Sequence, residues 1–223
     1  MFSKKLGIEL DKYHLLKHPF YQKYWNEGKL TREIIKDYAE QYYQHVKAFP
    51  RYISATHSIC EDLEKRKILL ENLQDEENKD GDHPKLWKNF AKAMGADEKE
   101  IEKVKLDWFT KDMIDNFFSQ ARKSYAEGLA SLYTYERQIP EIAETKIQGL
   151  KKFYGVNSKE GLEFFEAHKS ADVIHRAECE KLLDGLSKEE QVKAEKASVL
   201  TARYLWNFLS GMTSKHKLEQ IAA

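Results

Sequence analysis

Phe165-Glu166-Ala167-His168-Lys169-Ser170-Ala171-Asp172-Val173-Ile174-His175-Arg176-Ala177-Glu178-Cys179 is the stretch on which the reading of this chain turns. Steps of three and four place Phe165, His168, Asp172, His175, Cys179 and Leu182 on one stripe of a helix, with Glu163, Glu166, Arg176 and Glu180 on the opposite face. The stripe begins and ends apolar, so three ionisable side chains share the face that points at the core. Burying an ion costs several kcal/mol even after relaxation. A stable fold must therefore give these groups partners.

The same periodicity runs outward through the chain. Ten glycines and four prolines are spread over 223 residues, and apolar residues recur at three and four with almost no β-branched alternation. This predicts an all-α fold of about seven helices in a single domain spanning residues 1–223. The first helix covers about 4–27, with His18-Pro19 as a break point. The second is capped by Thr31, kinks at Pro50 and ends before Cys60. A third runs from Asp62 to about Asn78, and a fourth from His83-Pro84 to Gly95. A long fifth helix is expected over 111–154, bent by Pro140. The sixth is capped by Asn157 or Ser158 and ends near Gly185; the seventh opens on Ser187 with Glu190 completing a capping box.

Lys plus Arg and Asp plus Glu number 37 each, so the net charge is zero and nothing in it favours nucleic acid or an anionic membrane as partner. No apolar run approaches the roughly 20 residues that cross a bilayer, and Met1-Phe2-Ser3-Lys4-Lys5 soon meets Glu9 and Asp11 instead of a signal-peptide core. A cytoplasmic location is expected, with export into a host left open. Cys60 and Cys179 lack a CxxC spacing and read as small buried hydrophobes.

Two further helices repeat the anomaly of the first stretch. Leu129, Leu132, Glu136, Ile139 and Ala143 form a stripe with a carboxylate at its centre. On the third helix, Leu69, Leu73 and Glu76 make one stripe, and Leu70, Leu73 and Glu77 make another just as regular, so spacing does not choose between the two glutamates. His83 stands at a helix start, where it could aim sideways into a bundle or remain solvated. Asp172 and His175, at i and i+3, form the carboxylate-x-x-histidine unit with which helical bundles chelate metal, and His168 lies one turn earlier. They could equally be a buried ion pair. A metal site answers the whole pattern: three carboxylates and two divalent ions nearly cancel. A thiolate-free carboxylate and imidazole set suits iron or manganese better than structural zinc.

The segments His18-Pro19-Phe20-Tyr21, Tyr42–Pro50, Asp75–Asn78, Leu132–Pro140 and His168–His175 resemble the heme-oxygenase-like family that includes the chlamydial proteins associating with death domains, the thiaminases and the pyrroloquinoline-quinone synthases. The resemblance covers most of the chain and implies metal ligation by Glu76, His83, Glu136, His168, Asp172 and His175, which chooses Glu76 by analogy. It also implies formation of para-aminobenzoate for folate biosynthesis by an oxygen-dependent dimetal oxidase (Fe/Fe or Fe/Mn) that uses dioxygen and an external reductant. In that reading the protein consumes itself, with Tyr21 as ring source, Tyr135 as a second tyrosine near the metals and Lys146 as amine donor. Taken without the resemblance, the tyrosines are ordinary amphipathic residues and Lys146 is a solvated charge. A symmetric homodimer is the expected assembly.

Three rival functions keep their place at this point. A death-domain-binding effector is suggested by the relatives' name, a thiaminase-type hydrolase would need Cys179 as nucleophile, and a heme oxygenase would need His14 or His18 as axial ligand. His45, His57 and His216 belong to no comparable constellation.

Overall fold

The computed structural model describes residues 1–79 and 82–220, with the backbone alone for residues 170–173. Among the described residues there is no strand, and nine α-helices carry the architecture: α1 (Phe2–Leu10), α2 (Arg32–Ser58), α3 (Leu63–Glu76), α4 (His83–Ala93), α5 (Trp108–Lys123), α6 (Tyr125–Glu136), α7 (Ile139–Phe153), α8 (Lys159–Asp184) and α9 (Lys188–Lys215). None of these helices is long and apolar enough to cross a membrane. The predicted starts hold where a side chain caps the backbone. Thr31 accepts from Ile34 N, Asp62 from Glu64 N and Lys65 N, Ser158 from Gly161 N, and Ser187 forms its capping box with Glu190.

Two expected helices are subdivided. The first ends at Leu10. Short 3₁₀ turns follow, then His18 becomes extended as the residue before Pro19, and a π-helical segment covers Phe20–Trp25. The expected fifth helix is three. Ser124 is fully extended and caps α6 through Glu127 N, while α6 ends at Glu136 and α7 begins with Pro140 in its first turn. The Ser124-x-x-Glu127 pattern was the available signal for the first break. Pro50, by contrast, lies inside an unbroken α2.

α6 packs along α9, α7 along α8, and α2 against α3, α4 and α5. The rings that fill the space between them, including Phe20, Tyr38, Trp87, Phe165 and Phe208, form one continuous aromatic core. The π-helical segment is fixed to α7 at a close approach: Trp25 Nε1 donates to the Thr145 carbonyl at 3.2 Å. A Cβ at Gly149 would lie 2.4 Å from that same nitrogen. Only glycine lets α7 and the segment bearing Tyr21 come this close. Gly149→Ala should lower the unfolding free energy by about 1–3 kcal/mol in urea titrations, the usual cost of overpacking. Gly185→Ala, where an added Cβ meets nothing nearer than 3.5 Å, should change it little. Equal midpoints for wild type and Gly149→Ala would show that Trp25 is free to move aside.

Candidate active site

On α3 the buried stripe is Leu69, Asn72 and Glu76, while Leu70 and Glu77 are exposed. Burial thus separates the two glutamates that spacing leaves equivalent. Asp82 caps α4 and turns the buried His83 inward, where its Nδ1 lies 2.8 Å from Glu76 Oε2. The His83 ring centroid stands 4.2 Å from that of His168 on α8. His168 Nδ1 is 2.7 Å from the Phe164 carbonyl, which can only accept, so the proton sits on Nδ1 and Nε2 presents its lone pair. Burial pushes the His168 pKa well below its usual value and keeps the ring neutral. One ligand atom from each of Glu76, His83 and His168 lies within 4.8 Å of the others. A buried carboxylate and two imidazoles converging in this way fit a divalent metal ion.

The remaining predicted ligands are placed differently. Glu136, the last residue of α6 and 1% exposed, accepts from Asn72 Nδ2 at 2.6 Å and from Cys179 Sγ at 3.4 Å. His175 is buried, with Nε2 at 3.0 Å from Oδ2 of the half-exposed Asp75. Neither belongs to the three-residue group. Asp172 lies on α8, but its side chain falls outside the described residues. Asn72 and Asp75 went unnoticed in the sequence, although Asn72 stands one turn before Glu76 on the same stripe.

Lys146 requires correction. It is not a solvated charge: it is 4% exposed, with Nζ 4.7–5.3 Å from the ring centroids of Tyr38, Tyr42, Trp87 and Phe165. Burial pulls its pKa down to about 7. Nζ donates to Tyr38 Oη at 2.6 Å, and the Tyr38 and Tyr21 hydroxyls are near enough to influence one another's ionisation. Tyr135 influences Tyr42 in the same way. A cavity of about 20 Å³, room for about one water, is lined by Tyr21, Tyr38, Tyr42, Tyr135, Lys146 and His168 together with apolar groups. Burial raises the pKa of Tyr21, Tyr38 and Tyr42, so these phenols stay protonated.

A family model described as TENA/THI-4/PQQC matches residues 3–215. The chain belongs to the TENA/THI-4/PQQC family. One relative, the 4-aminobenzoate synthase of Chlamydia muridarum, is 42% identical over 93% of this chain and 88% of its own length. Among solved structures, a TenA homolog from Pseudomonas syringae pv. tomato superposes with a TM-score of 0.83 over 96% of this chain and 93% of its own, at 16% identity. A domain with a heme oxygenase-like fold from Shewanella denitrificans does so with a TM-score of 0.80 over 99% and 94%, also at 16% identity. At such identities these neighbours speak for the fold, which is the heme-oxygenase-like all-α bundle that the sequence predicts.

Within this family a thiaminase-type role for Cys179 is disfavoured by its surroundings. The thiol is buried, and desolvation together with the neighbouring Glu136 raises its pKa well above the usual thiol range, the opposite of an activated nucleophile. It also acts as a donor, beyond the plain hydrophobe expected of it. His18 uses both ring nitrogens, Nδ1 accepting from Phe20 N and Nε2 facing Ser210 Oγ, so the ring is committed to local structure.

The Lys146 pKa carries a stability signature. Between pH 7 and the unfolded lysine value near 10.4, the unfolded chain holds a proton that the folded chain does not, so stability rises with pH across that window. Relative to Lys146→Met, wild-type stability should climb by about 3–4 kcal/mol from pH 7 to pH 10, with the steepest gain above pH 7. Parallel pH profiles for the two proteins would contradict a neutral buried amine.

Proposed function

We propose that this protein forms para-aminobenzoate in an oxygen-dependent reaction, drawing the aromatic ring from Tyr21 and the amine from Lys146. The observation that carries the reading is the shared cavity: a neutral-capable amine bonded to Tyr38, the neighbouring phenol of Tyr21, and the metal-facing imidazole His168 line one space. The similarity to 4-aminobenzoate synthases over 93% of the chain supports the product.

Glu76, His83 and His168 would hold one divalent ion, and Glu136, Asp172 and His175 would serve a second, as Fe/Fe or Fe/Mn. Such a pair, when bound and reduced, supplies the activation of dioxygen that no side chain can provide. The chain's own groups do the rest. Aromatic walls exclude water, and desolvation keeps Lys146 unprotonated above about pH 7, so that its nitrogen lone pair is available. Tyr38 stacks between Phe20 and Tyr42, at centroid distances of 5.6 and 5.4 Å, and accepts a hydrogen bond from Lys146 beside Tyr21. Tyr135, which precedes Glu136 in the chain, lines the same cavity as Tyr21 and Lys146.

Iron-loaded protein incubated with air and a reductant should release para-aminobenzoate and alter the mass of the Tyr21 peptide. Tyr21→Phe and Lys146→Met should each abolish release, and Tyr38→Phe should lower it at least about tenfold by loosening the Lys146 contact. Product from Tyr21→Phe at the wild-type yield would exclude Tyr21 as ring source. Metal content gives a separate check: Asp172→Ala and His175→Ala should reduce it sharply, whereas Lys169→Ala, on the exposed face of α8, should not.

A further inference from the structure

Glu136 sits where a carboxylate is least comfortable. It closes α6, at the negative end of the helix dipole, and is buried. Its two oxygens are nevertheless engaged separately. Asn72 Nδ2 donates to Oε1 at 2.6 Å from α3, and Cys179 Sγ donates to Oε2 at 3.4 Å from α8. All three side chains are buried. The two donors have matching positions: Asn72 is one turn before Glu76, and Cys179 is one turn after His175. Two of the helices that contribute candidate ligands, α3 and α8, therefore also send one donor each to the carboxylate on α6.

We propose that Asn72 and Cys179 are positioning residues that fix the Glu136 carboxylate from both sides so that it meets a divalent ion with its orientation already set. The inference rests on the reading of Glu136 as a metal ligand. A carboxylate offers about four lone-pair sites, so accepting from Asn72 and Cys179 is compatible with binding a cation as well. The thiol enters through its Sγ–Oε2 contact of 3.4 Å, as a donor to the carboxylate and not as a ligand of the ion. Hydrogen bonds of this kind to a ligand carboxylate typically contribute 10- to 100-fold to metal affinity.

The test uses Co(II) titration of the full chain, with visible absorption as the readout. Wild type should bind Co(II) without the intense charge-transfer band of a cobalt thiolate. Asn72→Leu and Cys179→Ala should each weaken binding about 10- to 100-fold and alter the ligand-field spectrum, and Cys179→Ser, which keeps an O–H donor, should restore both to near wild type. Cys179→Ala is a small change and carries the test alone if Asn72→Leu does not fold. A thiolate band in wild type overturns the inference, as does wild-type binding by Asn72→Leu and Cys179→Ala, or a Ser variant as weak as the Ala variant. Glu136→Ala separates the two levels. If it binds like wild type, the reading of Glu136 as ligand fails and this inference falls with it. If it loses binding while the flanking variants do not, the positioning role alone is wrong.

Discussion

Ionisable side chains held in a water-poor aromatic core are the constraint around which this molecule is organised. Glu76, His83, Glu136, Lys146, His168 and His175 are all buried, and each carries a desolvation penalty that the fold must offset locally. The offsets differ by chemical type. Carboxylates are given polar neighbours: the His83 ring 2.8 Å from Glu76, and Asn72 and Cys179 as donors to Glu136. His168 is neutralised and its tautomer fixed by a backbone carbonyl. Lys146 receives no carboxylate among its stated contacts; rings and a phenol oxygen surround it, and it yields by giving up its proton near pH 7.

These separate solutions produce a division of labour within about one cavity's width. The side of the cavity lined by His168 borders the carboxylate and imidazole group, and the side lined by Lys146 and Tyr21 gathers an amine and phenol groups, with Lys146 bonded to Tyr38. Raised phenol pKa values keep those hydroxyls protonated, so that side carries no negative charge. The cavity's small volume leaves room for about one water.

What could be read from the sequence followed from periodicity, and what escaped it followed from the same logic applied unevenly. The stripe through His168 and His175 and the stripe through Glu136 were visible because a charged residue stood where an apolar one belonged. Lys146 stands in an equivalent place, between Ile142, Ala143, Ile147 and Leu150, all buried, so its burial was legible by the test that found Glu136. Tyr38 and Asn72 were harder. Helical spacing assigns a face but not a partner, and their roles depend on which side chain arrives from another helix. The choice of Glu76 over Glu77 is of this kind too: two equally regular stripes are separated only by how α3 is rolled against its neighbours.

The departures from regular helix fall where the site needs them. In one continuous helix Glu136 and Lys146, ten residues apart, would be separated by about 15 Å along the axis. The break at Arg137 and Gln138 redirects the chain, so that Tyr135 on α6 and Lys146 on α7 line the same cavity. The π-helical turn does similar work for Tyr21, since its wider winding lets Tyr21 and Trp25, four residues apart, both be fully buried, one against Tyr38 and the other against α7. His83 reaches Glu76 only because the chain turns back between α3 and α4. A bundle of uninterrupted helices with the same apolar stripes would bury as much surface, but it would not bring an amine, a phenol and an imidazole to one point.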